Sequence, residues 1–154
     1  MLTDPYGRKI TYLRISVTDR CNLNCGYCKP AGVVFKPYKE ILRYEQIEEI
    51  VRTAAGLGIN KVRLTGGEPL VRKGIESLVS EIASTESIRE TAITTNGLLL
   101  TPRRARLLKK SGLDRVNISL DTLDGEKYRE ITRGGDINEV FNGIDAAVDA
   151  DLTP

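Results

Sequence analysis

Lys61-Val62-Arg63-Leu64-Thr65-Gly66-Gly67-Glu68-Pro69 is a short strand pattern that stops at a glycine pair and a turn proline. Shortly after it, Ile75, Leu78, Val79, Ile82 and Ala83 fall at the i, i+3, i+4, i+7, i+8 spacing of one helix face. A βα unit is legible there, and similar units flank it. Upstream, Tyr12 to Val17 alternates with period two, and Ile47, Ile50, Val51, Ala54 and Leu57 mark a helix face closed by Gly58. Downstream, Thr91 to Thr95 predicts a third strand, broken at Asn96-Gly97. Thr101-Pro102 supplies an N-cap with proline at the first helical position, and Gly112 ends that helix. Arg115 to Leu120 predicts a fourth strand. A polar stretch with Gly134-Gly135 then leads to a last helix carrying Ile137, Val140, Phe141, Ile144 and Val148 on one side.

The order βαβαβαβα predicts an α/β fold with right-handed crossovers and a parallel sheet. Strands of such sheets are usually apolar on both sides. Here Arg14, Ser16, Arg63, Thr65, Thr95, Asn117 and Ser119 put polar groups into several strands. Edge strands or one wet face would account for this. So would a curved sheet or partial barrel whose concave face holds a polar ligand at the C-terminal ends of the strands. The sequence stops at Leu152-Thr153-Pro154, where a fifth strand is expected. Four βα units cannot close a barrel, so the chain reads as a piece of a larger domain. Its bare edge is expected to invite dimerisation or swapping.

Composition narrows the chemistry. The 154 residues are 40% apolar and 29% charged, with 23 Lys plus Arg against 21 Asp plus Glu. A net charge of +2 gives no reason to expect nucleic acid or an anionic membrane as partner. No run of roughly 18 apolar residues is present, and the N-terminal residues lack a secretory pattern. A cytoplasmic protein is the expectation. There is no histidine, which removes His-based triads and His-ligated zinc.

The three cysteines, Cys21, Cys25 and Cys28, lie within eight residues as C-x3-C-x2-C. An odd number packed so tightly makes no fully paired disulfide framework. Zinc would want a fourth protein ligand, for which an Asp or water would have to serve. Soft thiolates also suit an iron–sulfur cluster, and three of them would leave the fourth iron of a 4Fe–4S cubane open for chemistry. Three incidental thiols are the remaining alternative.

The cysteine loop, with Tyr27 before its last cysteine, resembles the signature of the radical S-adenosylmethionine (SAM) superfamily. Gly66-Gly67-Glu68-Pro69 resembles that superfamily's SAM-binding motif. Arg14 to Cys21, Lys61 to Pro69, Thr94-Thr95-Asn96-Gly97, Asn117 to Asp121 and Ile131 to Gly135 are similar, in order, to the GTP 3′,8-cyclase family of molybdenum-cofactor biosynthesis. The similarity runs over essentially the whole chain but only about the N-terminal half of the family's length.

That resemblance implies a partial (β/α) barrel of the radical SAM type over residues 1–154, without the family's C-terminal second-cluster domain. It implies a 4Fe–4S cluster on Cys21, Cys25 and Cys28, with SAM chelating the open iron. Tyr27 would meet the adenine through its backbone, Gly67 the methionine amino group, and Ser119 another part of SAM. A loop aromatic that merely packs, or a serine satisfied by backbone, is the plainer alternative for Tyr27 and Ser119. Arg14, Arg63 and Thr95 match positions that contact GTP. An arginine alternating with apolar neighbours in a strand needs a buried anionic partner, ligand or carboxylate, and its planar fork suits phosphate.

The implied reaction begins with an electron from a donor, cleavage of SAM, and hydrogen abstraction from C3′ of GTP by a 5′-deoxyadenosyl radical; C3′ then attacks C8 of guanine. The cysteines of the family's second cluster and its two-glycine tail are missing here. The chain is therefore expected to assemble the first cluster and turn over GTP poorly or not at all. Two other readings stay open: a radical SAM enzyme with a different substrate, or a non-catalytic cluster or metal module.

Overall fold

The computed structural model describes residues 2–28 and 33–152. Four strands, β1 (Tyr12–Ser16), β2 (Lys61–Thr65), β3 (Glu90–Thr95) and β4 (Arg115–Ile118), form one parallel sheet in the order β1-β2-β3-β4. They alternate with α1 (Tyr44–Gly56), α2 (Ile75–Ser84) and α3 (Pro102–Lys110), and β4 is followed by α4 (Gly125–Thr132) and α5 (Ile137–Asp149).

A sheet that always steps to the next strand in sequence, with crossovers of one hand, keeps its helices on a single face. The burial pattern agrees. Ile15, Val17, Val62, Leu64, Ile93 and Val116 point to one side and join Ile47, Val51, Leu78, Ile82, Leu108 and Ala147 in the core. The opposite parity carries Arg14, Arg63, Ala92 and Arg115 in one registered row, and Ser16, Thr65, Thr94 and Asn117 in the next. β2 and β3 are interior strands, so edge position does not explain their polar residues. One face of the sheet is uncovered by helices and polar, as in the concave wall of a partial barrel.

α4 corrects the sequence-based expectation of an irregular polar stretch before the last helix. Asp124 caps it by accepting from the amides of Glu126 and Lys127. It buries only Tyr128 and Thr132, too few positions to show helical periodicity. β4 also ends at Ile118, short of the expected Leu120. The outer edge of β4 is met at one position, where Val116 N donates to the carbonyl of the buried Leu152 at 3.2 Å. Among the described residues no helix is long and apolar enough to cross a membrane.

Candidate functional site

The cysteine loop leaves the C-terminal end of β1 and is tied down by the end of α4. Asn24 N donates to Thr132 O at 3.3 Å and Gly26 N to Ile131 O at 3.0 Å. Leu23 is buried against Gly135, where an added Cβ would stand only 3.0 Å from the Leu23 side chain. Arg133 closes α4 in the left-handed region (φ 56°) and lays its guanidinium beside Gly26. The Ile131 to Gly135 segment thus acts as the platform on which the loop rests. Tyr27 adds a tether from its hydroxyl to Asp121 Oδ2 at 2.9 Å.

All three cysteines stand outside any disulfide; Cys21 and Cys25 are half-buried and Cys28 is exposed. Burial pushes the Cys25 thiol up, and the neighbouring Cys21 and Cys28 add to the shift. The three sulfurs therefore sit within electrostatic reach of one another. They are not drawn into the close cluster a single metal ion needs, among the described residues. A cubane holds its thiolates on separate corners and so has no need of such a contact.

Gly66 and Gly67 form the turn that lies against the start of the cysteine loop. Gly67 N donates to Thr18 O and Glu68 N to Arg20 O, each at 2.7 Å. A Cβ on Gly67 would collide with the Arg20 carbonyl. The chain's own backbone already demands glycine there, before any ligand is considered.

Glu68, read from sequence only as part of a turn, is 1% exposed. Its Oε1 accepts from Leu70 N at 2.9 Å and Thr95 Oγ1 at 2.8 Å, and its Oε2 accepts from Asn96 N at 2.7 Å. Burial raises its carboxyl above the ordinary glutamate value against the pull of those donors. This carboxylate locks the turn after β2 to the turn after β3. Its sequence signal was a lone acid between a glycine pair and the apolar Pro69-Leu70-Val71.

The site residues expected from sequence divide accordingly. Arg14 and Arg63 are registered partners on the polar face. Arg63 stands over the Tyr12 ring at 5.7 Å, and its Nε is buried with no partner. Arg14 is exposed and donates to Tyr12 Oη at 3.5 Å, so the need for a buried anionic partner holds for Arg63 alone. Thr95 points the other way. It is buried on the helix side, giving its hydroxyl proton to Glu68 and accepting from Gly97 N. Its neighbour Thr94 has the parity of the polar face, in register with Asn117, whose Oδ1 is buried and unpaired. Asn117 was legible as a polar strand residue, whereas Thr94 and Asn96, quoted only as part of a motif, were given no role by sequence reasoning. Ser119 is exposed just beyond β4, its amide bonded to Thr95 O at 2.9 Å. Lower on the same face, Glu90 bridges Lys61 and Arg115 at 2.8 and 2.6 Å. Among the described residues, Arg14 and Arg63 have no such carboxylate.

A cavity of about 640 Å³ opens between the cysteine loop, the segment before α1 and the residues after Val71. Cys21, Asn22, Tyr38, Arg43 and Lys73 help to line it. Neither Arg63 nor Ser119 does; of the expected ligand-binding side chains the polar face holds Arg14 and Arg63, while Thr95 lies behind it.

A family model described as the Radical SAM superfamily matches residues 15–154. The GTP 3′,8-cyclase of Pelotomaculum thermopropionicum is 57% identical over 99% of this chain, which covers 47% of it. That of Alkaliphilus oremlandii is 54% identical over 99% of this chain, with 48% covered. The chain thus spans about half the length of the curated relatives it matches. Among solved structures, Streptococcus suis SuiB bound to the precursor peptide SuiA superposes with a TM-score of 0.76 at 25% identity, over 92% of this chain and 31% of that one. Native anSMEcpe with bound AdoMet gives 0.73 at 22% identity, over 92% and 42%, a likeness of fold alone. Three thiols after the first strand, a Gly-Gly-Glu-Pro turn after the second and a family match across nearly every residue lead to one assignment: the chain belongs to the radical SAM superfamily.

Proposed function

We propose that this chain is the cluster- and SAM-binding half of a cytoplasmic GTP 3′,8-cyclase. That lyase converts GTP to (8S)-3′,8-cyclo-7,8-dihydroguanosine 5′-triphosphate in molybdenum-cofactor biosynthesis. One observation carries the reading furthest. The loop bearing three thiols stands at the C-terminal end of a polar sheet face on which Arg63 and Asn117 keep buried, unpaired polar atoms. Such atoms cost about 1–3 kcal/mol each when unsatisfied. Arg63 Nε, a donor, fits an anionic group, and Asn117 Oδ1, an acceptor, fits an N–H or O–H of a polar ligand on that face. Identity of 54% and 57% to cyclases over nearly all of this chain supports GTP as that ligand.

The donor set fits the group. Cys21, Cys25 and Cys28 would hold a 4Fe–4S cluster, and superfamily membership supports both that cluster and SAM as cofactors. When bound and supplied with an electron, they would provide the radical chemistry that protein side chains cannot. The chain's own part is placement. The turn at Gly67, packed against Arg20 at the start of the cysteine loop, and the exposed Ser119 just beyond β4 would supply backbone and hydroxyl groups to SAM. Arg63 and Arg14 offer guanidinium forks toward phosphate. Thr95 serves through Glu68, holding the β3 turn in place.

The test is anaerobic reconstitution with iron and sulfide, reduction, and addition of SAM with and without GTP. 5′-Deoxyadenosine and the cyclised nucleotide are then quantified by mass spectrometry. This chain is expected to assemble the cluster and give little or no GTP-derived product, because it spans only about half the length of the cyclases it matches. The unaltered full-length cyclase carrying this segment should give both products, and a Cys25→Ser change in it neither. Deoxyadenosine released only with a different substrate would move the chain to another radical SAM enzyme. Zinc without sulfide would overturn the reading.

A further inference from the structure

Asn96 stands where the turn after β3 meets the cysteine loop, and its amide and side chain are held by defined partners. Its amide N donates to Glu68 Oε2 at 2.7 Å. Its side-chain Oδ1 accepts from Leu98 N at 3.1 Å, which fixes which way the amide faces. Nδ2 is thereby aimed at the cysteine loop, donating to Asn22 Oδ1 at 2.9 Å and lying 3.8 Å from Cys21 Sγ. The same sulfur accepts from Leu23 N at 3.3 Å.

The turn is braced from behind as well. Gly97 takes φ +84°, and Gly143 of α5 packs so closely that a Cβ there would collide with the Gly97 carbonyl. Buried Glu68 on one side and α5 on the other hold the backbone of the turn that carries Asn96.

From this geometry we infer that Asn96 is a positioning residue that tunes the electron affinity of the cluster held by Cys21. The inference rests on the cluster reading above. A hydrogen bond to a ligating sulfur stabilises added negative charge, so the donor favours the reduced cluster and raises its potential. Asn96 touches neither substrate nor reacting atoms. It acts through the Cys21 sulfur, and Asn22 keeps its amide in the plane that reaches that sulfur.

The experiment uses this chain, reconstituted anaerobically, unaltered and as Asn96→Ala and Asn96→Asp. Cluster content is measured first by iron, sulfide and absorbance. The midpoint potential is then read by electron paramagnetic resonance, and exchangeable deuterons near the reduced cluster by pulsed resonance in D2O. Both variants are expected to shift to a more negative potential, the aspartate variant further than the alanine one because it adds a charge as well as removing the donor. Both should lose one deuteron coupling. Asn96→Asp keeps the acceptor for Leu98 N, so it carries the measurement if alanine prevents cluster retention. An unchanged potential and unchanged deuteron coupling, in whichever variant holds a full cluster, overturn the inference. If the unaltered chain shows no 4Fe–4S signal at all, the cluster reading itself has failed, a result separable from either outcome for Asn96.

Discussion

The hydroxyl of Tyr27 donates to Asp121 Oδ2 at 2.9 Å, joining the cysteine loop to the segment after β4 across 94 positions of sequence. The ring is 67% exposed, so the bond acts at the surface. Tyr27→Phe should cost at most about 0.5–1.5 kcal/mol. The local consequence should exceed the global one: the melting temperature hardly moves, while hydrogen exchange quickens at the Gly26 and Cys28 amides. Exchange unchanged at both would show that the α4 platform alone orders the loop.

Arg63 presents a different balance. Its buried, unpaired Nε is a debit to the ligand-free fold, so Arg63→Met should leave stability unchanged or raise it by about 1 kcal/mol in urea unfolding. Made in the full-length cyclase, the same change should weaken GTP binding at least about tenfold, the loss of one charge-assisted contact. Lower stability together with unaltered GTP affinity would make Arg63 a structural residue.

Glycines test the packing around the β3 turn. Gly143→Ala would drive a Cβ into the Gly97 carbonyl, and backbone there cannot give way. Destabilisation of about 1–3 kcal/mol is expected. Gly56, at the end of α1, has nothing within 4 Å of a built Cβ. Gly56→Ala should stabilise by roughly 0.5–1 kcal/mol. Paired thermal melts settle both signs.

Glu68 makes stability depend on pH. Burial raises its folded-state pKa above the unfolded value, so folding favours the protonated acid. Its contribution is then full below the ordinary glutamate pKa and is lost as pH rises through the folded value. Urea unfolding across the mildly acidic range should show that loss. Glu68→Gln should remove the share of the slope that Glu68 contributes. It should also cost about 1–3 kcal/mol at every pH, because an amide NH2 must face at least one of the donors at Leu70, Thr95 and Asn96.

The βα alternation was legible because the strands and the helices α1, α2 and α5 bury regular sets of apolar residues, and because Thr101-Pro102 and Gly112 mark the two ends of α3. α4 was not, since Tyr128 and Thr132 are its whole buried face. The cysteine loop and the Gly-Gly-Glu-Pro turn announced themselves by spacing. What spacing could not convey was direction. Thr94 and Thr95 are adjacent and chemically identical, yet the strand pleat sends one to the polar face and the other to Glu68. Nor could it show that Gly67 is required by the Arg20 carbonyl, a contact between segments more than 40 residues apart.

The strand order β1-β2-β3-β4 also bears on how the protein is made. Each strand pairs with the one synthesised just before it, so the sheet can grow by accretion as the polypeptide leaves the ribosome, with no strand waiting for a distant partner. The cysteine loop is the exception. Its hydrogen-bond acceptors at Ile131 and Thr132 emerge more than 100 residues after Cys21. The thiols are thus translated early and housed late, only once the end of α4 has been made.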